Sequence, residues 1–232
     1  MDSDWTSGER AVLETLAEAR EKILTEITSE DADARRGYLA RFGTEVKSFS
    51  AFMAEAVMRW RSLDDNIGKN EELAYVSGLV YTAITLQIQS MKLFLSGHTV
   101  AAGNIFRQVL ESIALALLCS SKRLHFLQRF IDDQYSSNNA VRDLLRNAAK
   151  LGVLKDGLEV LKNAHDFYHK YSHPTKLTIA STIPLSGKGV YVGASFDEDK
   201  VYAYKKEVKG RLGLAKIFPN FITAVELNVA KW

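Results

Sequence analysis

Cysteine is almost missing from this chain: Cys119 is the single one among 232 residues. That excludes an internal disulfide and any thiolate cluster for zinc or an iron–sulfur centre. Proline occurs only three times, so few breakers interrupt the chain and long helices are expected. Net charge is close to balance at +2, which gives no global case for nucleic-acid binding. A G-x-x-x-x-G-K-S/T phosphate loop, a G-x-G-x-x-G turn and a G-x-S-x-G elbow are all absent. With them go the sequence arguments for P-loop, dinucleotide and α/β-hydrolase chemistry. The longest apolar stretches are broken by Gln87, Gln89 and Lys92, or by Arg107 and Glu111, whereas a membrane span needs about 20 nearly continuous apolar residues. The opening "MDSDWTSGER" is acidic and has no apolar core, unlike a signal peptide. A cytoplasmic, bacterial-type protein without membrane contact is expected.

What is present is helical periodicity. "ERAVLETLAEAREKILTEI" sets Val12, Leu13, Leu16, Ala19, Ile23, Leu24 and Ile27 on one stripe with acids opposite. Ser29 and Asp31 can end that helix and cap the next, which should run from about Asp33 to Leu63. "ELAYVSGLVYTAITLQIQSMKLFL" is apolar around most of its circumference and is expected to be a central buried helix. Gly97 should break it, with Thr99 capping a helix through Ser120; a shorter helix holds "RLHFLQRFIDDQ", and another ends at Gly152. "KDGLEVLKNAHDFYHKYSH" then runs into Pro174. Beyond it "KLTIASTIPLSGKGVYVGASF" is β-branched and alternating around "SGKG", which reads as a β-hairpin. The chain from Asp197 to Trp232 returns to helical periodicity, with a bend expected at Pro219. The expectation is one all-α domain over 1–232, a multi-helix bundle of six to eight helices. Its parts are N-terminal helices in 1–63, core helices in 70–173, a small β-hairpin at 176–196, and a C-terminal helix in 197–232.

Charge is unevenly placed. Residues 1–34 carry ten acids against Arg10, Arg20 and Lys22, while 200–216 carry Lys200, Lys205, Lys206, Lys209, Arg211 and Lys216 against Glu207 alone. Such asymmetry suits self-association into a homo-oligomer or an acidic protein partner, although each stretch also reads as a solvated helix face. Lys205 and Lys209, with Tyr202 and Tyr204 for base stacking, are the candidate residues for a nucleic-acid-binding face.

"HDFYHKYSHPT" packs His165, His169 and His173 into nine positions. Residues four apart on a helix lie about 6 Å apart along the axis, so one metal can bridge neighbours but not His165 and His173, about 12 Å apart. Pro174 also pushes His173 out of helical geometry. Neither H-E-x-x-H nor a Glu-x-x-His pairing accompanies the histidines. No metal or other cofactor is assigned, and His169 with His165 or His173 stays open as a histidine pair for metal- or histidine-assisted hydrolysis. The helix after Gly97 supplies the second constellation, with Asn104, Arg107, Gln108 and Glu111 on one polar stripe. Arg107 and Glu111 are four apart and can pair. Facing water the pair contributes little; facing inward it demands a satisfied network of the kind that lines sites. Arg107, Glu111, His169 and His173 are therefore the candidate catalytic set, with Asn104, Tyr168 and Ser172 as binding residues beside them.

An Arg-x3-Glu pair on a core helix, followed by a helix ending in Tyr168, Ser172 and His173, resembles uncharacterised bacterial helical domains in the style of HEPN-like bundles, over roughly residues 73–195. Some of those act in phage defence or toxin–antitoxin systems, and the resemblance implies an interaction or regulatory module of that kind. HEPN ribonucleases carry Arg-x4–6-His. Here the matching positions hold Asp166, Phe167 and Tyr168 before His173, and Lys162, Asn163 and Ala164 before His169. Lysine at 162 offers a point charge and not a bidentate fork.

Overall fold

The computed structural model describes residues 15–185 and 193–232. Its nine described α-helices are α1 (Leu16–Thr28), α2 (Ala32–Asp64), α3 (Glu71–Leu95), α4 (Thr99–Cys119), α5 (Phe126–Ile131), α6 (Ala140–Leu151), α7 (Lys155–Tyr168), α8 (Lys176–Thr182) and α9 (Val201–Val229). Single 3-10 turns precede α5, α6 and α9 and follow α7, the last covering His169–Ser172. Among the described residues there is no strand.

The expected β-hairpin is therefore overturned for its described part. Lys176–Thr182 is helical because Thr175 and Thr178 form a reciprocal capping box, each side chain accepting the other's backbone N–H. That start signal and packing of α8 on α4 outweigh the β-branched alternation. "SGKG" at 186–189 lies outside the described residues, as do Val12 and Leu13 of the first stripe.

Most helix ends follow local chemistry. Asn70 caps α3 by accepting the Leu73 N–H at 3.0 Å. Gly97 ends α3 at φ +85°, and Gly152 ends α6 at φ +67°, conformations that suit glycine. Gly97 also lacks the Cβ that would sit 2.8 Å from the Ser195 backbone nitrogen, so the loop before α9 lies flat on the α3–α4 corner. The expected single helix around Phe126 is instead a 3-10 turn and α5 separated by His125 at φ +56°. α2 carries a kink at Phe42 (φ −126°, ψ 16°), and α9 continues through Pro219.

α4 is the most enclosed element. It packs lengthwise on α3 and also against α6, α7 and α9, burying Phe106, Val109, Leu110, Ile113 and nearly everything to Cys119. By length and apolar composition α4 is the one described helix that could cross a membrane, but 72% of that apolar window is buried in the bundle. α3, expected to be enclosed, instead leaves Tyr75, Tyr81 and Ile88 outward. α2 lies along α9. The two are joined with α3 through Tyr38, whose ring centroid is 4.9 Å from each of Phe94, Phe196 and Tyr204.

Candidate functional site

Arg107 occupies the middle of α4, one helical turn before Glu111, so both side chains leave the same face. That face points inward: Arg107 is 16% and Glu111 10% exposed at the side chain. The guanidinium makes three contacts to three different segments. Its Nε donates to Glu111 Oε1 at 2.8 Å, Nη1 to Ser172 Oγ at 2.9 Å, and Nη2 to Asn138 Oδ1 at 2.8 Å. Ser172 donates in turn to Asn104 Oδ1 at 2.8 Å, and the Asn104 amide donates to the Tyr171 carbonyl at 3.1 Å. Glu111 Oε1 has a second partner, His165 Nε2 at 3.0 Å from α7. The result is a hydrogen-bonded clamp, centred on one arginine, that fixes the end of α7 and its 3-10 turn against α4.

Electrostatics at Glu111 follow from this geometry. Burial pushes the carboxyl up, but the His165 hydrogen bond and the nearby Arg107 charge together outweigh burial and hold it below its ordinary value. A depressed folded value means that Glu111 contributes stability in full above the unfolded carboxylate range, about 4.3, and loses it as pH falls through the lower folded value. Replacing Glu111 by glutamine is therefore expected to lower stability at neutral pH, with the gap from wild type closing below about pH 4. Urea unfolding at pH 7 and pH 3.5 checks this; a gap of equal size at both would sink the assignment.

His169 and His173 sit on the outer side of the same helix end. Both are exposed, and their rings meet edge to face at 4.8 Å. His173 is extended (φ −137°, ψ 156°), as its place before Pro174 requires. Partial desolvation, then the Arg107 charge and the other two histidines, hold His169 below its ordinary value, so it is neutral near pH 7.

The structure thus brings Arg107, Glu111, Asn104 and Ser172 into direct contact, with His169 and His173 at the rim. It places Tyr168 elsewhere. The Tyr168 hydroxyl is buried and donates to Glu207 Oε2 at 2.9 Å, in a second network with Tyr171 and Arg211. Lys205 and Lys209 belong to neither network: they project with Lys206 and Lys216 from the exposed side of α9. Tyr202 shares that side, whereas Tyr204, Glu207 and Arg211 face the core. The basic stretch is therefore thinner than its sequence suggests, because Arg211 is fully buried and Lys200 turns in to the Ser181 carbonyl at 3.2 Å.

Four members of these networks lay outside the site expected from the sequence. For His165 the sequence suggests a metal-binding or hydrolytic pair with His169; its link to Glu111 spans 54 residues. Asn138 lies in a polar run with no spacing signal. Glu207 and Arg211 did carry a signal, since they fall on the stripe of Val201, Tyr204, Val208 and Ala215 that α9 buries. Among the described residues no group of three or more His, Cys, Asp or Glu side chains converges as a metal site. No protein-family model matches this chain, and neither a curated protein nor a solved structure does so.

Proposed function

We propose that this chain is an interaction or regulatory module that uses the Arg107 clamp to present the His169–His173 edge to a protein partner. The observation that carries this reading is how Arg107 is spent: of its five N–H donors, one holds Glu111 on α4 itself and two cross-link α4 to the Asn138 turn and to Ser172. A guanidinium so engaged serves to pre-organise the helix end, and pre-organisation lowers the ordering cost of binding. The resemblance to HEPN-like bundles suggests phage defence or a toxin–antitoxin pair as the setting. To test the reading, tagged wild-type chain and a His169→Glu, His173→Glu variant are compared by quantitative capture from a bacterial lysate. Both residues are exposed, so folding should be unaffected. A partner held by wild type and lost from the variant is expected; identical captured sets would overturn the reading.

A second reading, histidine-assisted hydrolysis of RNA, is favoured by the His169–His173 contact beside a buried cation. His169, neutral near pH 7, suits a general base. To test it, purified wild-type protein and a His169→Ala variant are each incubated with a labelled single-stranded RNA. Intact RNA, or cleavage equal in wild type and His169→Ala, removes this second reading.

A further inference from the structure

Folding takes charge of both signs off the surface at 200–216. Arg211 turns into the core with Glu207 as its partner, and Lys200 is buried too. What stays outside is Tyr202, Lys205, Lys206, Lys209 and Lys216, all exposed on α9 with no acid among them. With 3.6 residues per turn these five fall within a sector of about 100°, so they form one stripe about 21 Å long. Gly213 lies in the same sector, and a Cβ there would meet nothing within 4 Å. Between Lys209 and Lys216 the stripe is therefore open down to the backbone.

Such a stripe destabilises the free chain. Lys205 and Lys209 are four apart and Lys206 and Lys209 three apart, spacings at which like charges on a helix repel. Other helices place an acid one turn from an exposed cation, as with Arg59–Glu55 at 2.9 Å on α2 and Lys155–Glu159 at 3.8 Å on α7. Among the described residues none of the four lysines of the stripe has an ion pair within 4.0 Å. Glu198 and Asp199 stand in the 3-10 turn before the helix, Glu198 at 3.9 Å from Arg41, and Glu45 on neighbouring α2 is half-buried. Lys206 instead rests its ammonium 4.4 Å from the centroid of the Tyr202 ring, and Tyr202 is 72% exposed.

We infer that the outer face of α9 binds a single strand of nucleic acid, its lysines following the phosphates and Tyr202 stacking on a base. A strand carries one negative charge per nucleotide, so a row of ammonium groups with no acid among them complements its backbone. Binding also relieves the repulsion within the stripe. Lysine makes a point contact without bidentate geometry, so the face holds any base sequence. The exposed ring favours a single strand over a duplex, because bases inside a duplex are already stacked on one another. An anionic membrane is the poorer match. Beside its lysines the face offers only Tyr202 and, at its edge, Ile217, short of the apolar side with which interfacial helices enter a bilayer. This inference uses none of the residues of the Arg107 clamp, and either can fail without the other.

Fluorescence anisotropy of the full chain with a labelled oligodeoxythymidine measures this binding apart from any cleavage of RNA. Affinity should fall with added salt along a log–log slope of about −3, as four phosphate contacts on a single strand require. Lys205→Gln combined with Lys209→Gln should bring the slope to about −1.4. Lys69→Gln combined with Lys150→Gln, exposed lysines off the stripe, removes the same charge and should leave the slope unchanged. Tyr202→Leu should weaken binding roughly fivefold or more at every salt concentration without altering the slope. A hairpin duplex of equal length should bind more weakly. Four results would each overturn the inference: no binding, a slope changed equally by the two lysine pairs, an affinity indifferent to Tyr202→Leu or tighter for the duplex, or binding to phosphatidylserine vesicles and not to the oligonucleotide.

Discussion

Replacing Arg211 with methionine is expected to cost about 3–5 kcal/mol of stability, a Tm loss of roughly 6–20 °C for a domain of this size. Arg211 is the largest fully buried side chain in the described structure, with zero exposure. It donates to Glu207 Oε2 at 2.6 Å and to Ser90 Oγ at 3.0 Å, and its guanidinium lies over the rings of Phe94, Phe106 and Tyr168. Methionine fills much of the volume but leaves the Glu207 carboxylate buried without its cation. Tyr168 and Tyr171 still donate to it, since burial pushes both hydroxyls well above their ordinary values and keeps them protonated. Two neutral donors do not replace a charge partner in a low-dielectric core. A Glu207→Gln, Arg211→Met double variant should recover most of the loss, because it removes the orphaned charge and keeps an acceptor for the tyrosines. Urea unfolding of the three proteins decides the matter; a single variant as stable as wild type would mean that the pair does not hold the core.

The second large effect comes from a single added methyl group. Gly103 lies in the interior of α4, where helix propensity alone makes Gly→Ala stabilising by roughly 0.8–1 kcal/mol. Packing reverses the sign. A Cβ at Gly103 would stand 2.5 Å from Cδ2 of the Tyr171 ring and 2.6 Å from its Cγ. Tyr171 is held at both ends, its hydroxyl donating to Glu207 and its backbone carbonyl accepting from the Asn104 amide, so its ring cannot swing aside freely. Gly103→Ala is expected to destabilise by about 1–3 kcal/mol and to push the His169–Ser172 turn off α4. The Ser172 contacts with Arg107 and Asn104 would then open. Thermal unfolding reads the first effect, and the histidine ring resonances in an NMR spectrum read the second. Shifts confined to His165, His169 and His173, with His98 and His125 unmoved, are the expected pattern. A variant more stable than wild type would show that the close approach carries no constraint.

These two variants also mark the boundary of what sequence can reveal. Gly152 and Gly97 ended helices as expected, and His173 left the helix before Pro174, because each rule concerns a backbone and its immediate neighbours. The Arg107–Glu111 pair was legible for the same reason, being fixed by the helical repeat. The hairpin expectation failed where two local signals competed: alternation over Lys176–Thr182 suggested a strand, and the Thr175–Thr178 capping box produced a helix. Tyr168 was read as part of the polar site from its position in the chain. In the fold it turns inward to Glu207, 39 residues away.

The sequence by itself determined a largely helical chain without disulfides, many of its helix ends, and which side chains share a helix face. It determined these because the 3.6-residue repeat and the capping groups act over a few residues. Only the tertiary structure decided that Arg107 reaches Asn138 and Ser172, that His165 answers Glu111, and that Arg211 lies in the core while the stripe of α1 lies outside it. Those partners depend on which faces of α4, α7 and α9 meet, and that choice is made by packing the whole apolar surface at once.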